Sequence, residues 1–198
     1  MRQAAKVAVV YLVQHAEKRR EPGDPELTDR GREQALRTAE LLSRSGIQAV
    51  YSSPLRRATQ TAQPIAAAAG VEVIEDRRLV ERMNWDGRQP LAEFLADWDR
   101  ATRVRDFAPA SGDSSHRAAA RMIAFVQSVV DSPGPVVAVS HGGVTTDMLR
   151  TLLGDDAVPR ELVEQGVPPC AITTLEGSRV LRVAAVDHLR PEHANPPS

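Results

Sequence analysis

The chain of 198 residues is 42% hydrophobic and 26% charged, which is enough apolar material for one core of ordinary domain size. Its 25 Lys and Arg against 26 Asp and Glu leave a formal net charge of -1, so the overall field excludes a general attraction for nucleic acid or an acidic membrane, and any anion site must be local. The one cysteine, Cys170, excludes an internal disulfide and a Cys-rich zinc site and suits a reducing compartment.

The first six residues lead into an apolar stretch too short for a secretory core. No run approaches the ~18 apolar residues of a membrane span, which points to a cytosolic protein. Residues 7–13 read as a first strand, because a short, continuously apolar run rich in β-branched residues is typical of a sheet covered on both faces. Thr28 makes an N-cap, Ala35, Ala39 and Leu42 recur at helical spacing over residues 29–45, and Gly46 supplies a stop. Residues 47–51 form a second short strand. Ser53-Pro54 then predicts a helix start with serine as the cap and proline at the first position, the helix running to Ala69 before Gly70 ends it.

A third strand over residues 71–74 precedes the least regular part, residues 76–113, which holds both tryptophans, Trp85 and Trp98, and one helix over residues 91–103. Residues 114–130 read as a helix, 136–140 as a strand and 143–153 as a helix. Residues 171–175 and 180–186 make a hairpin about Glu176-Gly177-Ser178. Strand and helix thus alternate through most of the chain. That order predicts an α/β fold, a three-layer αβα sandwich with a mainly parallel sheet and an antiparallel edge. It is expected as a single domain over residues 1–198, with 76–113 as an irregular, substrate-facing insertion and 190–198 as a Pro-rich flexible tail.

Reactive side chains follow the predicted strands. His15 comes after the first, Ser52-Ser53 and Arg57 after the second, Glu81 after the third and His141 after residues 136–140. In an open parallel sheet these ends share one edge, where ligands bind. A lone histidine or arginine at such a place is ordinarily structural; the two imidazoles together with Arg57 make the functional reading the stronger one.

The stretches "LVQHAEK", "LTDRGREQA", "YSSPLRRATQTA", "LVERMNWDG" and "VVAVSHGGV", spread through the chain in this order, resemble the histidine phosphatase superfamily, its phosphoglycerate mutase-like branch. The C-terminal "VDHL" is a weaker echo. The resemblance implies a phosphoglycerate mutase-like fold and a phosphoric monoester hydrolase that transfers phosphate through a phosphohistidine, with no metal or other cofactor. By position, His15 is the nucleophile, Arg57 and His141 are phosphate ligands together with Gln14 and Gly142, and Glu81 is the proton donor. The implied partner is a small phosphomonoester, with no nucleic acid or membrane and with a homodimer left open.

Elementary chemistry supports these roles. An attacking imidazole must be neutral and held in one tautomer, which burial beside cationic groups favours. Phosphoryl transfer spreads negative charge over three equatorial oxygens, for which the planar fork of Arg57, in the first turn of its helix, is suited. Gly142-Gly143 lets backbone approach closely as it opens another helix toward the same place. The leaving alkoxide needs a proton from a partly desolvated carboxyl. Glu81 is the first candidate, with Asp86 and Asp113 as alternatives in the same irregular region. His116, His188 and His193 read as structural or exposed, and Trp85 and Trp98 as packing or pocket wall.

The sequence also departs from the family pattern. Gln14 stands where the family has arginine and Ala16 where it has glycine, and "ERMNWDG" is more compact than usual around the acid. A neutral donor in place of a charged one costs about 1–3 kcal/mol, a tenfold to hundredfold rate penalty, unless Lys18, Arg19, Arg20 or Arg82 supplies the missing cation. Besides hydrolysis, Gln14 therefore leaves room for a phosphate-binding regulator without turnover, and the family leaves room for a mutase-type phosphotransferase. Residues 82–113, on which the substrate depends, have no fold that the sequence alone reveals.

Overall fold

Six strands form one sheet in the order β3-β2-β4-β1-β5-β6 in the computed structural model, which describes residues 7–190. β1 (Val9–Gln14), β4 (Val136–Ser140), β2 (Ala49–Ser52) and β3 (Val73–Glu75) are mutually parallel. β5 (Ile172–Glu176) runs antiparallel to β1, and β6 (Arg179–Ala185) antiparallel to β5, giving the expected antiparallel edge. All five residues of β4 are buried, as a strand covered on both faces must be.

The side-chain alternation of the central strands divides the core into two layers. Val136 and Ala138 of β4, with Val10 and Leu12 of β1, meet Met122, Phe125, Val144 and Met148 from α4 (Ser115–Ser128) and α5 (Gly142–Leu153). Val137 and Val139, with Val13 and Val50, meet Ala39, Leu42, Ala58, Ala62 and Ile65 from α1 (Asp29–Leu42) and α2 (Arg56–Ala69). The three layers of the expected αβα sandwich follow. α3 (Leu91–Arg103) lies in the region that the sequence left irregular, and Met83, Phe94, Ala101, Trp85, Trp98 and Phe107 make a small apolar cluster there. A short α6 (Arg160–Glu164), too brief to show periodicity, was not anticipated.

Most elements begin and end within two or three residues of their expected positions. The first strand starts at Val9 and runs on to Gln14, the third is shifted to Val73–Glu75, and α5 begins at Gly142. The start of α2 needs a larger correction. The helix begins at Arg56 with Leu55 in the cap position, and neither Ser53 nor Pro54 does what was expected of it. The missing cap comes from Asp24, whose two carboxylate oxygens accept the Arg56 N–H at 2.8 and 2.9 Å, so a side chain distant in sequence takes the local cap's place. Ser53 is thereby released toward the sheet edge. Residues 191–198, most of the expected tail, lie outside the described residues, as does His193.

One close approach fixes the loop after β1. Thr28 caps α1 by accepting the Gly31 N–H, and its own backbone N–H donates to the Glu17 carbonyl at 3.0 Å. Gly31 lies so near that a Cβ there would come within 2.0 Å of the Glu17 carbonyl oxygen, a backbone atom that cannot swing away. Gly31→Ala is expected to lower stability by about 1–3 kcal/mol, read as a fall in denaturant midpoint at unchanged slope. A midpoint equal to that of the parent protein would show that the loop shifts freely.

Candidate active site

Because β1 and β4 are parallel neighbours with Gln14 opposite Ser140, the residues that follow them emerge side by side. The His15 N–H donates to the Ser140 carbonyl at 3.0 Å, and the His15 and His141 rings lie 5.2 Å apart between centroids, tilted by 59°. His15 Nδ1 is 2.8 Å from the Ala16 carbonyl oxygen. That oxygen can only accept, so Nδ1 carries the proton and Nε2 keeps a free lone pair. Burial, followed by the nearby Arg57 charge, holds the His15 pKa down at about 3. Burial, again followed by Arg57, pushes His141 well below its ordinary value. Both rings are neutral at physiological pH.

Several polar atoms at this edge have no partner among the described residues. His141 is completely buried; its Nε2 is 2.8 Å from Ser53 Oγ, but Nδ1 bonds to nothing. Arg57 is 3% exposed, with Nη2 donating to Asn84 Oδ1 at 3.2 Å and Nη1 3.8 Å from an Asp24 oxygen, while Nε and Nη1 make no hydrogen bond. The Asn84 amide donates in turn to the Gly23 carbonyl at 2.8 Å, so the guanidinium is held in place from one side only. Gln14 Oε1 is likewise buried and unpartnered. An unsatisfied buried polar group costs about 1–3 kcal/mol, and native structures keep few of them. A group of them at one place marks a site built for a polar ligand.

Glu81 reaches this place from the segment after β3. Its Oε1 accepts the N–H groups of Arg82 at 2.7 Å and Val144 at 2.9 Å, and Oε2 accepts that of Gly143 at 3.0 Å. The carboxylate thus sits on the N-terminal turn of α5, where free amides and the helix dipole favour an anion. Gly143 must be glycine, since a Cβ there would lie 2.5 Å from Glu81 Oε1 and 2.7 Å from the Trp98 ring. Arg121 of α4 clamps the segment by donating to the carbonyls of Arg78 at 2.7 Å and Glu81 at 3.1 Å, and Ser140 Oγ donates to the Leu79 carbonyl at 2.7 Å. The other two candidate acids stand elsewhere. Asp86 is exposed beside Arg88, and Asp113 pairs with Arg121 and Arg117.

A cleft of about 260 Å³ opens over these groups, lined by His15, Lys18, Arg57 and Glu81 and by Met83, Trp85, Phe94 and Trp98 among others. Of the four cations considered for the position of Gln14, only Lys18 lines it. Arg19 and Arg20 are exposed, and Arg82 is buried with both oxygens of Asp147 on its Nη1, at 2.9 and 3.0 Å. Burial, then Arg57, lowers the Lys18 pKa, and its ammonium adds to the depression of both imidazoles. Gly142 opens α5 beside Gln14, whose Oε1 would lie 3.7 Å from a Cβ on that glycine. His116 sits on exposed Asp106, and His188 bonds to Thr38 away from the cleft. Asn84 and Asp24 were not anticipated, since no pattern marks a residue that braces an arginine across a fold, and Ser53 was read as a cap because Ser-Pro is a strong helix-start signal.

An α/β sheet edge that gathers two neutral imidazoles, a half-satisfied guanidinium and a helix N-terminus is a site for an oxyanion such as phosphate. The chain belongs to the histidine phosphatase superfamily (branch 1), whose family model matches residues 10–183. It is 34% identical to a glucosyl-3-phosphoglycerate phosphatase of Mycolicibacterium vanbaalenii over 66% of this chain, and spans 64% of that relative's length. It is 33% identical to phosphoserine phosphatase 1 of Hydrogenobacter thermophilus over 74% of this chain and 77% of that protein. Among solved structures, mycobacterial glucosyl-3-phosphoglycerate phosphatase superposes with a TM-score of 0.72 at 26% identity, covering 91% of this chain and all of that one (100%).

The low pKa of His15 has a consequence for folding. The unfolded chain takes up a proton near the ordinary value of 6.5, whereas the native imidazole resists one until about 3. Between those values the unfolded state binds more protons, so this contribution to stability is complete above about 6.5 and is lost as the pH falls toward 3. The His15 ring resonances are expected to keep neutral-imidazole shifts from about pH 8 to about pH 4. His15→Asn is expected to lose less stability than the parent protein over the same acidification; a His15 ring titrating near 6.5 would refute the assignment.

Proposed function

We propose that the protein is a metal-independent phosphomonoesterase that hydrolyses small phosphorylated metabolites through a phosphohistidine on His15, in a cytoplasmic setting and as one domain. The observation that carries this reading is the cluster of unpartnered buried polar atoms, Arg57 Nε and Nη1 and His141 Nδ1, beside an imidazole whose Nε2 is free to attack. Both named relatives are phosphatases of small metabolites, which supports the same reaction class.

In the proposed first step, His15 Nε2 forms a bond to phosphorus in line with the ester oxygen, whose bond to phosphorus breaks. The ester, bound as its monoanion, passes its proton through Glu81 to that oxygen, so a neutral alcohol leaves. Glu81 Oε2, which accepts the Gly143 N–H, has a lone pair for that proton. In the second step Glu81 takes a proton from water, the water oxygen bonds to phosphorus as the bond from phosphorus to His15 Nε2 breaks, and inorganic phosphate departs. The nonbridging oxygens are held by Arg57, His141, the Gln14 amide and the first N–H of α5 at Gly142. Ser53 Oγ, which accepts the Leu55 N–H at 3.4 Å, donates to His141 Nε2 and keeps the proton of that ring on Nδ1. Such preorganised donors supply most of the catalysis in reactions of this kind.

We assign Lys18 the charge that Gln14 does not carry. The second reading, an anion-binding regulator without turnover, is favoured only by the neutral Gln14 and does not account for Lys18 in the same cleft.

The purified protein is expected to hydrolyse 4-nitrophenyl phosphate equally well with and without a chelator. His15→Ala should reduce kcat by roughly a thousandfold or more, with loss of an acid-labile phosphoenzyme. Lys18→Met should lower kcat/KM about tenfold to a hundredfold. Gln14→Arg should raise the parent activity and restore most of the loss in the Lys18→Met protein. Tight phosphate binding with no turnover of any ester would favour the regulator instead.

A further inference from the structure

The lining of the cleft is of two kinds. One is the set of groups for phosphate, His15, Arg57, Glu81 and Lys18. The other is an apolar wall of Met83, Trp85, Leu91, Phe94 and Trp98, contributed by α3 and the segment before it, of which Leu91 is 47% exposed. This wall is held firmly, since the Trp85 indole N–H donates to the Gln89 carbonyl at 2.9 Å and Phe94 and Met83 belong to one buried cluster.

The remaining polar groups about the cleft offer little to a second charge on a substrate. Asn84 is committed on both sides, its oxygen to Arg57 and its nitrogen to the Gly23 carbonyl. Glu21, also in the lining, is exposed and acidic. Arg82, which stacks on Trp98 with its guanidinium carbon 4.4 Å from the ring centroid, has its Nη1 on Asp147 and lines a different cavity, which it shares with Trp98. Among the described residues the cations that line the cleft are thus Lys18 and Arg57, both near enough to the imidazoles to lower their pKa values. A carboxylate on the leaving group would meet apolar surface and a repelling carboxylate, and would lose its hydration without a partner.

We infer that the natural substrate carries its phosphate on an uncharged alcohol or phenol with an apolar, ring-shaped face, and not on a carboxylated carbon chain. The two named relatives are phosphatases of glucosyl-3-phosphoglycerate and phosphoserine by name, both of which carry a carboxylate, so the inferred substrate differs from theirs in its leaving group. Flat rings suit such a wall because they bury large apolar area and stack on aromatic faces with few rotatable bonds to immobilise. The inference rests on the proposed phosphatase reading of the site.

The test uses benzyl phosphate against O-phosphoserine and 3-phosphoglycerate, since these esters differ chiefly in the group that meets the wall. Benzyl phosphate should show kcat/KM at least about tenfold higher than either carboxylated ester. Leu91→Arg, at an exposed position that tolerates substitution, should narrow that ratio severalfold by giving the carboxylates a partner. Phe94→Ala should raise KM for benzyl phosphate while leaving inhibition by inorganic phosphate unchanged. Equal or better use of the carboxylated esters overturns the inference while leaving the phosphatase reading intact. Calorimetric binding of the same three esters to the His15→Ala protein reads the preference without turnover. A protein that hydrolyses none of them yet binds benzyl phosphate best would refute the reaction and keep the selectivity, and one that binds all three alike would refute the selectivity.

Discussion

The parallel pairing of β1 with β4, in the register that sets Gln14 against Ser140, is the constraint from which the site follows. Residues far apart in the chain emerge at adjacent points of one sheet edge, and the His15 N–H closes the gap by bonding to the Ser140 carbonyl. A slip of one residue would turn the slipping strand's side chains to the opposite layers and separate the imidazoles. The register is defended by the core, since Val10, Leu12, Val136 and Ala138 must face α4 and α5 while Val13, Val137 and Val139 face α1 and α2. Packing and chemistry therefore impose the same alignment.

Electrostatics at the edge is arranged by withholding partners. Arg57 is held by Asn84 and approached by Asp24, yet two of its nitrogens are left without hydrogen bonds. If a carboxylate bonded to the full guanidinium fork, it would occupy the place of an anionic ligand and offset the share of both imidazoles' pKa depression that Arg57 adds to burial. Asp24 instead spends its two oxygens on the Arg56 N–H, close enough to steady Arg57 and too distant to neutralise it. The protein keeps unsatisfied groups here, at a cost in stability, and a bound oxyanion would satisfy the donors among them together.

Much of this was legible in the sequence, for reasons that differ by element. The central strands and α1, α4 and α5 were readable because periodicity and burial agree in them, and the placement of His15, Arg57 and His141 at one edge required only the rule that parallel strands end together. Ser53 shows where local signals fail. Ser-Pro favours a helix start in isolation, but Asp24 supplies the cap from a remote loop and the hydroxyl turns to His141. Which of four cations reaches the cleft was undecidable, since each differs only in where a flexible side chain ends; the fold removes Arg82 to Asp147 and leaves Lys18 in the cleft. Residues 76–113 were opaque because Arg121, Ser140 and Gly143 hold their course from other elements.

The backbone around His15 carries a further sign of imposed geometry. Cys170 adopts a positive φ of 55° although it is not glycine, a conformation that persists only where the surroundings demand it. Its N–H donates to the Gln14 carbonyl at 3.1 Å, with the His15 carbonyl also within reach at 3.4 Å. Burial pushes its thiol up to about 11, so it is no nucleophile. The residue acts through its backbone. With Gly31 close beneath the Glu17 carbonyl, the Ser140 carbonyl on one side and Cys170 on the other, the turn that bears His15 is fixed by main-chain contacts from three separate parts of the chain. Main-chain contacts of this kind do not depend on the side chains of residues 14 and 16, so Gln14 and Ala16, where the family has arginine and glycine, leave the His15 imidazole in place.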